Sequence, residues 1–417
     1  MVPAMDQVLA VGNSREIVEP QPFSSDRLEL AGLVALSGVA AALQFSIAAA
    51  QILLTLALVC WLGLLLVRHE RFEAPRFFWP LAAYAAITLV SSAFSIDPRV
   101  SFIDSKQLVL FLIVPLAYRV ATGSRGLTLM TVVLSAAAAA AIVGIFQYAI
   151  LHYDDLGRRP QGTLGHYMTY SGLLMIVIGV ALARVLFGRG ERTWAALVIP
   201  ALASAVALTF SRNAWVGACL AAALLLAMKD FRLLALLPIV AAAFFAIAPS
   251  IITARFHSIF DLKDPTNRDR LAMTREGVHM IRDHPLTGVG PNMVLRVYPE
   301  YRDPDAVEKL NPHLHNVPLQ IAAERGLPAL AIWLWFVVTL TVDLARSFRD
   351  GRHRFLAAAG LATVVSMLAA GFFEYNFGDS EFLMLFLIIV TLPFAAERTA
   401  PLREARSAGL SGPRWRP

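Results

Sequence analysis

Charged residues are scarce in this sequence. Asp, Glu, Lys and Arg make up 16% of its 417 residues, whereas 57% are hydrophobic. This balance excludes an ordinary water-soluble domain, because apolar runs of about 18 or more residues are candidates for crossing a lipid bilayer. A segment that crosses a bilayer must satisfy its own backbone hydrogen bonds. We therefore expect an all-α, polytopic integral membrane protein.

Cysteine is scarce as well. Cys60 and Cys219 both lie in apolar runs, where we expect them to pack between helices, so they indicate neither a disulfide nor a metal site. The chain has no glycine-rich phosphate loop followed by Lys, and nothing suggests the use of ATP. With a modest net charge of +6, we expect no nucleic-acid partner. The first 27 residues lack a basic start followed by an apolar core, which argues against a cleaved signal peptide.

The apolar runs predict twelve membrane spans with both termini on one side of the membrane. The first two spans form one long run, which we expect a tight turn near Gln44 and Ser46 to split. The predicted spans are residues 28–45, 46–67, 77–95, 107–122, 127–151, 167–187, 193–210, 213–228, 231–250, 327–346, 354–373 and 381–396.

Lys and Arg are distributed unequally between the two ends of these spans. The end that holds both termini carries 21 of them, whereas the short connections at the other end carry five. Because cytoplasmic loops are enriched in Lys and Arg, we expect both termini to be cytoplasmic. The predicted divisions are a cytoplasmic segment (1–27), nine spans (28–250), an outward-facing loop (251–326), three spans (327–396) and a cytoplasmic tail (397–417).

The outer loop, residues 251–326, is the only long polar stretch in the chain. It holds ten of the 36 Lys and Arg residues and five of the nine His residues. Long loops cross the membrane largely regardless of their charge, so this content agrees with an outward position. We expect the loop to form a helical cap that, with the span ends beneath it, makes an active site for an anionic substrate.

Arg212 lies in the motif Ser211-Arg212-Asn213, where two spans meet on the outer side. An arginine at membrane depth is costly and usually has a function, although it can also be a snorkelling side chain at a helix end. Arg212 lies away from the basic side and has no acidic residue within four positions. These features favour a functional role.

The first half of the outer loop predicts a helix that Thr266 or Asn267 caps and Pro285 ends. Three of its arginines recur every seven residues and are expected to form a solvated stripe. They are Arg268, Arg275 and Arg282.

Arg270 falls on a different face of the same helix, beside Thr274, Gly277 and Ile281. That face is small and apolar and carries no Asp or Glu. A buried arginine needs an anionic partner, and the planar guanidinium binds phosphate well. The pattern indicates that Arg270 binds a phosphate.

Two histidines precede a second helix start, at Val317-Pro318, for which Asn316 is a plausible cap. His315 would lie near the positive end of the helix dipole, which favours a neutral imidazole able to accept a proton. His313 and His315 would share a face of an extended segment, so a metal site and a structural pair remain alternatives. We favour a site without metal, because no Asp, Glu or Cys stands at clear ligand spacing nearby.

These residues suggest chemistry on a pre-activated substrate outside the cytoplasm. In membranes this commonly means a glycan carried on a polyprenyl diphosphate. The arginines would stabilise the diphosphate as it leaves, and the histidine would deprotonate an attacking hydroxyl.

At these residues the sequence resembles the bacterial O-antigen ligase and O-antigen polymerase superfamily. The resemblance rests on SRNAW at 211–215, on RLAMT and MIRDHPLTGVG within 270–290, and on HNVPLQIAAERGLPAL at 315–330. Thr274 stands where the family usually has an aromatic residue, and Pro328 and Ala329 replace a glycine region. The individual motifs are modest, but their order around one outer loop is specific.

The resemblance implies a GT-C-like fold in the bacterial inner membrane and a glycosyltransferase that works with inversion, without metal or another cofactor. It would move glycan from undecaprenyl diphosphate to the lipid A–core of lipopolysaccharide at the periplasmic side. By motif, Arg212 and Arg270 would bind diphosphate and His315 would be the base. The other residues expected to bind substrate are His313, Arg268, Asn316, Arg158, Arg159 and His166.

Other functions remain open. Within the superfamily, the chain resembles an O-antigen polymerase or a protein O-oligosaccharyltransferase almost as well, and only the loop placement and chain length favour the ligase. From another class, a polyprenyl-glycan flippase should carry charge near the middle of its spans, whereas here the charges collect on the outer face. Glu374, Asp379 and Glu381 are further outer acidic residues that could bind a cation or orient a hydroxyl.

Overall fold

A computed structural model describes residues 23–398 of the chain. Within this range the protein is all-helical, without a β-strand, which confirms the predicted fold class. The predicted N-terminal segment and C-terminal tail lie mostly outside the described residues.

Most connections between the helices are short and several include a 3-10 turn, but the loops 150–166 and 302–316 are longer. In chain order they are α1 (Phe23–Ala42), α2 (Ile47–Arg68), α3 (Phe78–Ala93), α4 (Pro98–Asp104), α5 (Ile113–Val120), α6 (Arg125–Ala149), α7 (Tyr167–Phe187), α8 (Arg192–Leu208), α9 (Arg212–Lys229), α10 (Leu236–Ile247), α11 (Ser250–His257), α12 (Pro265–Asp283), α13 (Val294–Tyr301), α14 (Val317–Asp350), α15 (Arg354–Gly371) and α16 (Ser380–Glu397).

Seven helical segments of the described chain are long and apolar enough to cross a membrane. They are α2, the continuous helical stretch from α4 to α5, α6, α7, α14, α15 and α16. The apolar helices α3, α8 and α10 are shorter, and α10 with the turn before it extends over only 17 residues, Phe231–Ile247. The chain is therefore a multi-pass membrane protein, and the number of twelve spans stays a prediction.

The turn predicted near Gln44 and Ser46 is confirmed. Helix α1 ends at Ala42 and α2 begins at Ile47, with the Ser46 side chain accepting a hydrogen bond from the Ala49 amide. Serine suits this position because its hydroxyl satisfies a backbone donor that the first helical turn leaves unpaired.

The core of the bundle surrounds α16, which packs against α5, α7 and α15. Nearly all residues of α16 from Phe382 to Ala396 are buried. Helix α2 lies at the edge and exposes large apolar side chains such as Ile52, Val59 and Leu66. In a bilayer such side chains face lipid, and the apolar exterior agrees with a membrane protein.

Helix α14 is longer than the predicted span and is kinked at Gly326, where φ is 82°. The kink interrupts the helical hydrogen-bond ladder and frees carbonyl groups. Those of Ala323 and Glu324 instead accept hydrogen bonds from the amides of Val289 and Gly290, both at 2.9 Å. The turn after α12 thus docks the outer helix onto the first part of α14.

Serines of α3 and α4 hold the same turn from the other side. The hydroxyl of Ser91 donates to the carbonyl of Thr287 at 2.6 Å, and that of Ser101 donates to the carbonyl of Pro291 at 2.7 Å. Gly288 has a φ of 67°, and a Cβ there would overlap the backbone of Glu324. The PLTGVG motif is therefore a packing element that positions α12 over the bundle.

Candidate active site

The turn between α15 and α16 collects groups from three parts of the chain. Glu374 lies in this turn and contacts both histidines that precede α14. Its Oε1 lies 3.1 Å from Nε2 of His313, and its Oε2 lies 2.9 Å from Nδ1 of His315. The two imidazole rings are 4.2 Å apart between centroids. A single carboxylate therefore orients both histidines.

Glu374 is only 12% exposed at its side chain. Burial by itself raises the pKa of a carboxyl group, because it disfavours the charged form. Here the hydrogen bonds from His313 and His315, together with their charges when the rings are protonated, outweigh burial, and the pKa of Glu374 lies well below its ordinary value. The group is a carboxylate that can stabilise positive charge on either ring.

The local sequence explains how His315 reaches Glu374. His315 has a φ of 46°, in the left-handed region that turns the chain sharply before a helix. Asn316 then caps α14 by accepting a hydrogen bond from the Leu319 amide at 3.0 Å, as predicted. Its amide nitrogen also donates to the carbonyl of Phe372 at 3.2 Å. Asn316 thus joins the start of α14 to the end of α15.

Arg270 of α12 contacts the same turn. Its guanidinium donates to the carbonyl of Phe373 at 3.0 Å and lies 5.8 Å from the centre of the Phe373 ring. Burial lowers the pKa of Arg270, although the nearby Glu374 raises it. The structure therefore brings Arg270, His313, His315 and Asn316 together at one turn.

Arg268 lies on the exposed side of α12, together with Arg275 and Arg282, in agreement with the predicted solvated stripe. Arg275 pairs with Asp303 at 2.8 Å and with Asp305 at 3.2 Å. Arg268 makes no hydrogen bond or ion pair within residues 23–398. The geometry favours Arg270 over Arg268 as a residue of the site.

The cap of α12 differs from the prediction. Asp264, not Thr266 or Asn267, caps the helix, and its carboxylate accepts hydrogen bonds from both of their amides at 3.0 and 3.2 Å. Pro265 occupies the first helical position, which suits a residue without an N–H donor. The pair Asp264-Pro265 was the stronger signal of a helix start.

Asp264 also provides the acidic partner that the sequence around Arg212 lacks. Its carboxylate lies 3.4 Å from the Arg212 guanidinium, which also donates at 3.0 Å to the carbonyl and hydroxyl oxygens of Ser258. The other carboxylate oxygen of Asp264 lies 3.6 Å from the Arg255 guanidinium. Burial raises the pKa of Asp264, but the charges of Arg212 and Arg255 and the Asn267 amide hold it below its ordinary value.

Arg255 of α11 was missed by the sequence reasoning. Its side chain is 12% exposed, and its Nε has no hydrogen-bond partner among the described residues. Burial, followed by the charges of Arg212 and Arg159, lowers its pKa to about 10, with a smaller contribution from Arg270. An arginine among the apolar residues of a short helix was the available signal.

The charge of Arg255 is opposed by those of three nearby arginines, Arg159, Arg212 and Arg270, and we call these four residues the arginine cluster. Asp264 is the only carboxylate of the described residues that forms an ion pair with any of them. The cluster therefore keeps an excess of positive charge. Such a surface favours a ligand with more than one negative charge.

The loop before α7 contributes to the site only in part. Arg159 stacks on Tyr167, with the guanidinium 4.3 Å from the ring centre, and contributes to the arginine cluster. His166 precedes α7 and its Nδ1 lies 3.4 Å from the Thr169 hydroxyl. Arg158 is exposed and stacks on Tyr153. The structure joins Arg159 and His166 to the site and leaves Arg158 on the loop surface.

A cavity of about 300 Å³ opens beside the histidines. Its lining includes His166, Asn213, His313, Glu374 and Asp379. The Thr169 hydroxyl donates to Asp379 at 2.5 Å. Amide and carboxylate groups line much of this cavity, so it suits a ligand rich in hydroxyl groups.

The three ligand atoms of His313, His315 and Glu374 lie within 4.8 Å of one another. Two imidazoles and a carboxylate at this separation have the donor types of a transition-metal site. No acidic residue stands at clear ligand spacing near the histidines along the sequence, but in space the carboxylate of Glu374 contacts both rings. The same geometry also matches a carboxylate that orients two hydrogen-bonded imidazoles.

Comparison with known families identifies one segment of the chain. Residues 195–334 match the model of a family described as O-antigen ligase. This match supports membership of the O-antigen ligase superfamily, as the motifs predicted. No curated protein matches the chain.

The matched segment contains Arg212, Arg255, Arg270, His313 and His315. Members of this family are glycosyltransferase-like enzymes, and the family is associated with lipid-linked glycans and the lipid bilayer. Glu374 lies outside the matched segment and joins the site through the fold. The candidate site therefore combines the matched segment with the turn after α15, which lies outside it.

Proposed function

We propose that this protein is an O-antigen ligase that transfers glycan from undecaprenyl diphosphate to the lipid A–core of lipopolysaccharide. The observation that carries the proposal is the arrangement of the Glu374–His315 pair beside the arginine cluster. A proton acceptor and a binding surface for a diphosphate are the two parts that such a transfer needs.

His315 is the general base of the proposed reaction. With its Nδ1–H donating to Glu374, the Nε2 atom keeps a lone pair that can accept a proton. A carboxylate on the far side of the ring fixes the tautomer and stabilises the imidazolium as it forms. His313 donates to the other oxygen of Glu374 and holds the carboxylate in place.

The transfer proceeds by a single displacement. The acceptor hydroxyl gives its proton to His315, and its oxygen bonds to the anomeric carbon of the donor sugar. The bond between that carbon and the diphosphate oxygen breaks on the opposite face, and the electron pair leaves with undecaprenyl diphosphate. One displacement inverts the configuration of the anomeric carbon.

Arg212, Arg255 and Arg270 bind the diphosphate and stabilise its growing charge. They supply positive charge that a metal ion supplies in many glycosyl transfers, so the proposed reaction uses no metal, cofactor or ATP. Arg270 is preferred to Arg268 because it contacts the Glu374 turn. The cavity beside His313 and Asp379 accommodates an acceptor sugar, with His166 in its lining and Arg159 stacked on the neighbouring Tyr167.

The proposed setting is the bacterial inner membrane. Both termini are cytoplasmic, and residues 251–326 face the periplasm with the site at the outer ends of α7, α14 and α15. The distribution of Lys and Arg supports this orientation. The lipid-linked donor and the lipid A–core acceptor then reach the site from the outer leaflet.

An in vitro transfer assay tests this function. Purified protein is mixed with undecaprenyl-diphosphate glycan and lipid A–core, with a chelator and without nucleotide. We expect glycan on the lipid A–core. Longer carrier-linked chains would identify an O-antigen polymerase, and glycan on an added pilin acceptor would identify a protein O-oligosaccharyltransferase. The absence of all three products would leave the flippase as the remaining function.

A further inference from the structure

A second cavity lies at the end of the helix bundle opposite to the candidate active site. It has a volume of about 470 Å³ and opens between the start of α6, the end of α7 and the start of α15. All three helices are membrane-span candidates by length and composition. The active-site residues lie near the opposite ends of α7 and α15, so the two cavities are separated by the length of these helices.

Positive charge in this cavity is only partly balanced. Arg184 forms an ion pair with Glu191 and donates to the Thr131 hydroxyl at 2.8 Å. Three further arginines line the cavity and form no ion pair with any residue from 23 to 398. They are Arg189, Arg352 and Arg354.

The helix ends add to this excess. Both α6 and α15 begin at the cavity, and neither has a side chain that caps its first turn. The start of a helix carries unpaired N–H groups and partial positive charge, which disfavours the nearby Arg352 and Arg354. An anion bound here would satisfy the helix starts and the arginines together.

Apolar residues form another part of the cavity wall. Leu127, Phe187, Phe355 and Leu356 line it beside the arginines. A free inorganic ion gains nothing from such a wall, whereas the glycerol and acyl portion of a lipid does. Basic cavities between span ends are typical sites for anionic lipid headgroups.

We propose that this cavity binds the phosphate headgroup of an anionic glycerophospholipid in the leaflet opposite to the active site. Arg189, Arg352 and Arg354 hold the phosphate oxygens, and the start of α15 directs its N–H groups toward them. The lipid is a bound component of the protein and takes no part in glycan transfer.

Native mass spectrometry of the full-length protein tests this binding. The protein is released from detergent micelles that contain phosphatidylglycerol or phosphatidylcholine, and the retained lipid is counted. We expect the wild-type protein to prefer phosphatidylglycerol. The double variant R352Q/R354Q should lose this preference by about tenfold or more.

A matched variant separates this site from general surface charge. R346Q/R349Q removes the same charge from the same end of the bundle, at residues that do not line the cavity. We expect it to retain phosphatidylglycerol like the wild type. Equal loss in both variants, or no lipid preference in the wild type, would overturn the proposal.

Two further measurements complete the test. Arg189→Gln, in the loop after α7, should also weaken phosphatidylglycerol retention, and thermal unfolding in detergent shows whether each variant remains folded. Inorganic phosphate should not displace the lipid. Displacement by phosphate, with loss of the lipid preference, would show a simple anion site and overturn the lipid assignment.

Discussion

Nδ1 of His315 lies 2.9 Å from Oε2 of Glu374, although 59 residues separate the two along the chain. One residue precedes α14 and the other follows α15, so these two helices bring them together. The contact gives the histidine a defined orientation. It also places a charged carboxylate behind the ring that is proposed to accept a proton.

Replacement of Glu374 by Gln should slow glycan transfer by about 10²-fold or more, the usual scale for losing general-base catalysis. Glutamine has one carbonyl oxygen in place of two carboxylate oxygens, so it cannot accept hydrogen bonds from both histidines. It also carries no negative charge to stabilise an imidazolium. Donor affinity should remain close to that of the wild type. The transfer rate at saturating donor and the donor Kd measure the two effects, with the exposed Glu308→Gln as control.

The two histidines should respond differently to substitution. His315→Gln removes the proposed base, so the transfer rate should fall by about 10² to 10⁴-fold. His313→Gln removes only one hydrogen bond to Glu374 and should cost about tenfold. Transfer rates of the two variants, measured in parallel, show which histidine is the base. A larger loss of rate in His313→Gln than in His315→Gln would identify His313.

Arg255→Gln should weaken donor binding by about tenfold, since a hydrogen bond to a charged group is worth roughly 1.5–3 kcal/mol. The donor-free protein should nevertheless have a higher Tm, because burial and neighbouring arginines disfavour the charged form of Arg255. Donor titration and thermal unfolding measure the two quantities. A lower Tm with unchanged donor affinity would indicate a purely structural role. The exposed Arg268→Gln should change neither.

Acid should destabilise the wild-type protein partly through Glu374. Its pKa in the folded protein lies well below the ordinary value of 4.5. The corresponding stability is therefore fully present above about pH 4.5 and is lost as the pH falls toward the folded-state pKa. Thermal unfolding between about pH 6 and about pH 3 should show a smaller loss of Tm in Glu374→Gln than in the wild type. Identical pH profiles would contradict this linkage.

Gly288→Ala should destabilise the protein by about 1–3 kcal/mol, the usual cost of forcing a strained backbone. Gly288 has a φ of 67°, and an added Cβ would overlap the backbone of Glu324. Thermal unfolding measures the loss. Gly63→Ala is the control and should not lower the stability. Gly63 lies within α2, where an added Cβ would make only an ordinary contact at 3.8 Å and alanine favours a helix more than glycine does.

Local patterns in the sequence predicted much of the helical body. Long apolar runs indicated the spanning helices, and the polar pair Gln44 and Ser46 marked a turn inside one such run. Helical periodicity separated Arg270 from Arg268, and the structure gives the two arginines different surroundings. These features depend on neighbours within a few residues, which a sequence displays directly.

The contacts of the site that the sequence did not predict join distant segments of the chain. Asp264 reaches Arg212 across 52 residues, and Glu374 reaches His313 across 61. Nothing near Arg212 or His313 in the sequence shows such a partner. The break at Gly326 coincides with the predicted boundary between the outer loop and the next span, and Pro328 lacks the N–H that would bond to the Glu324 carbonyl. The sequence does not show that the Gly290 amide in the turn after α12 takes its place.

Helices α14 and α15 form a helical hairpin, with His315 and Glu374 at its open end and Gly351 at its closed end. The length of α15 therefore sets the position of Glu374 relative to His315. One residue inserted in α15 would rotate Glu374 by about 100° about the helix axis and shift it by about 1.5 Å. The carboxylate would then leave both imidazoles. Variation in length among natural relatives is therefore expected at the closed end of the hairpin, around Gly351, and not within α15.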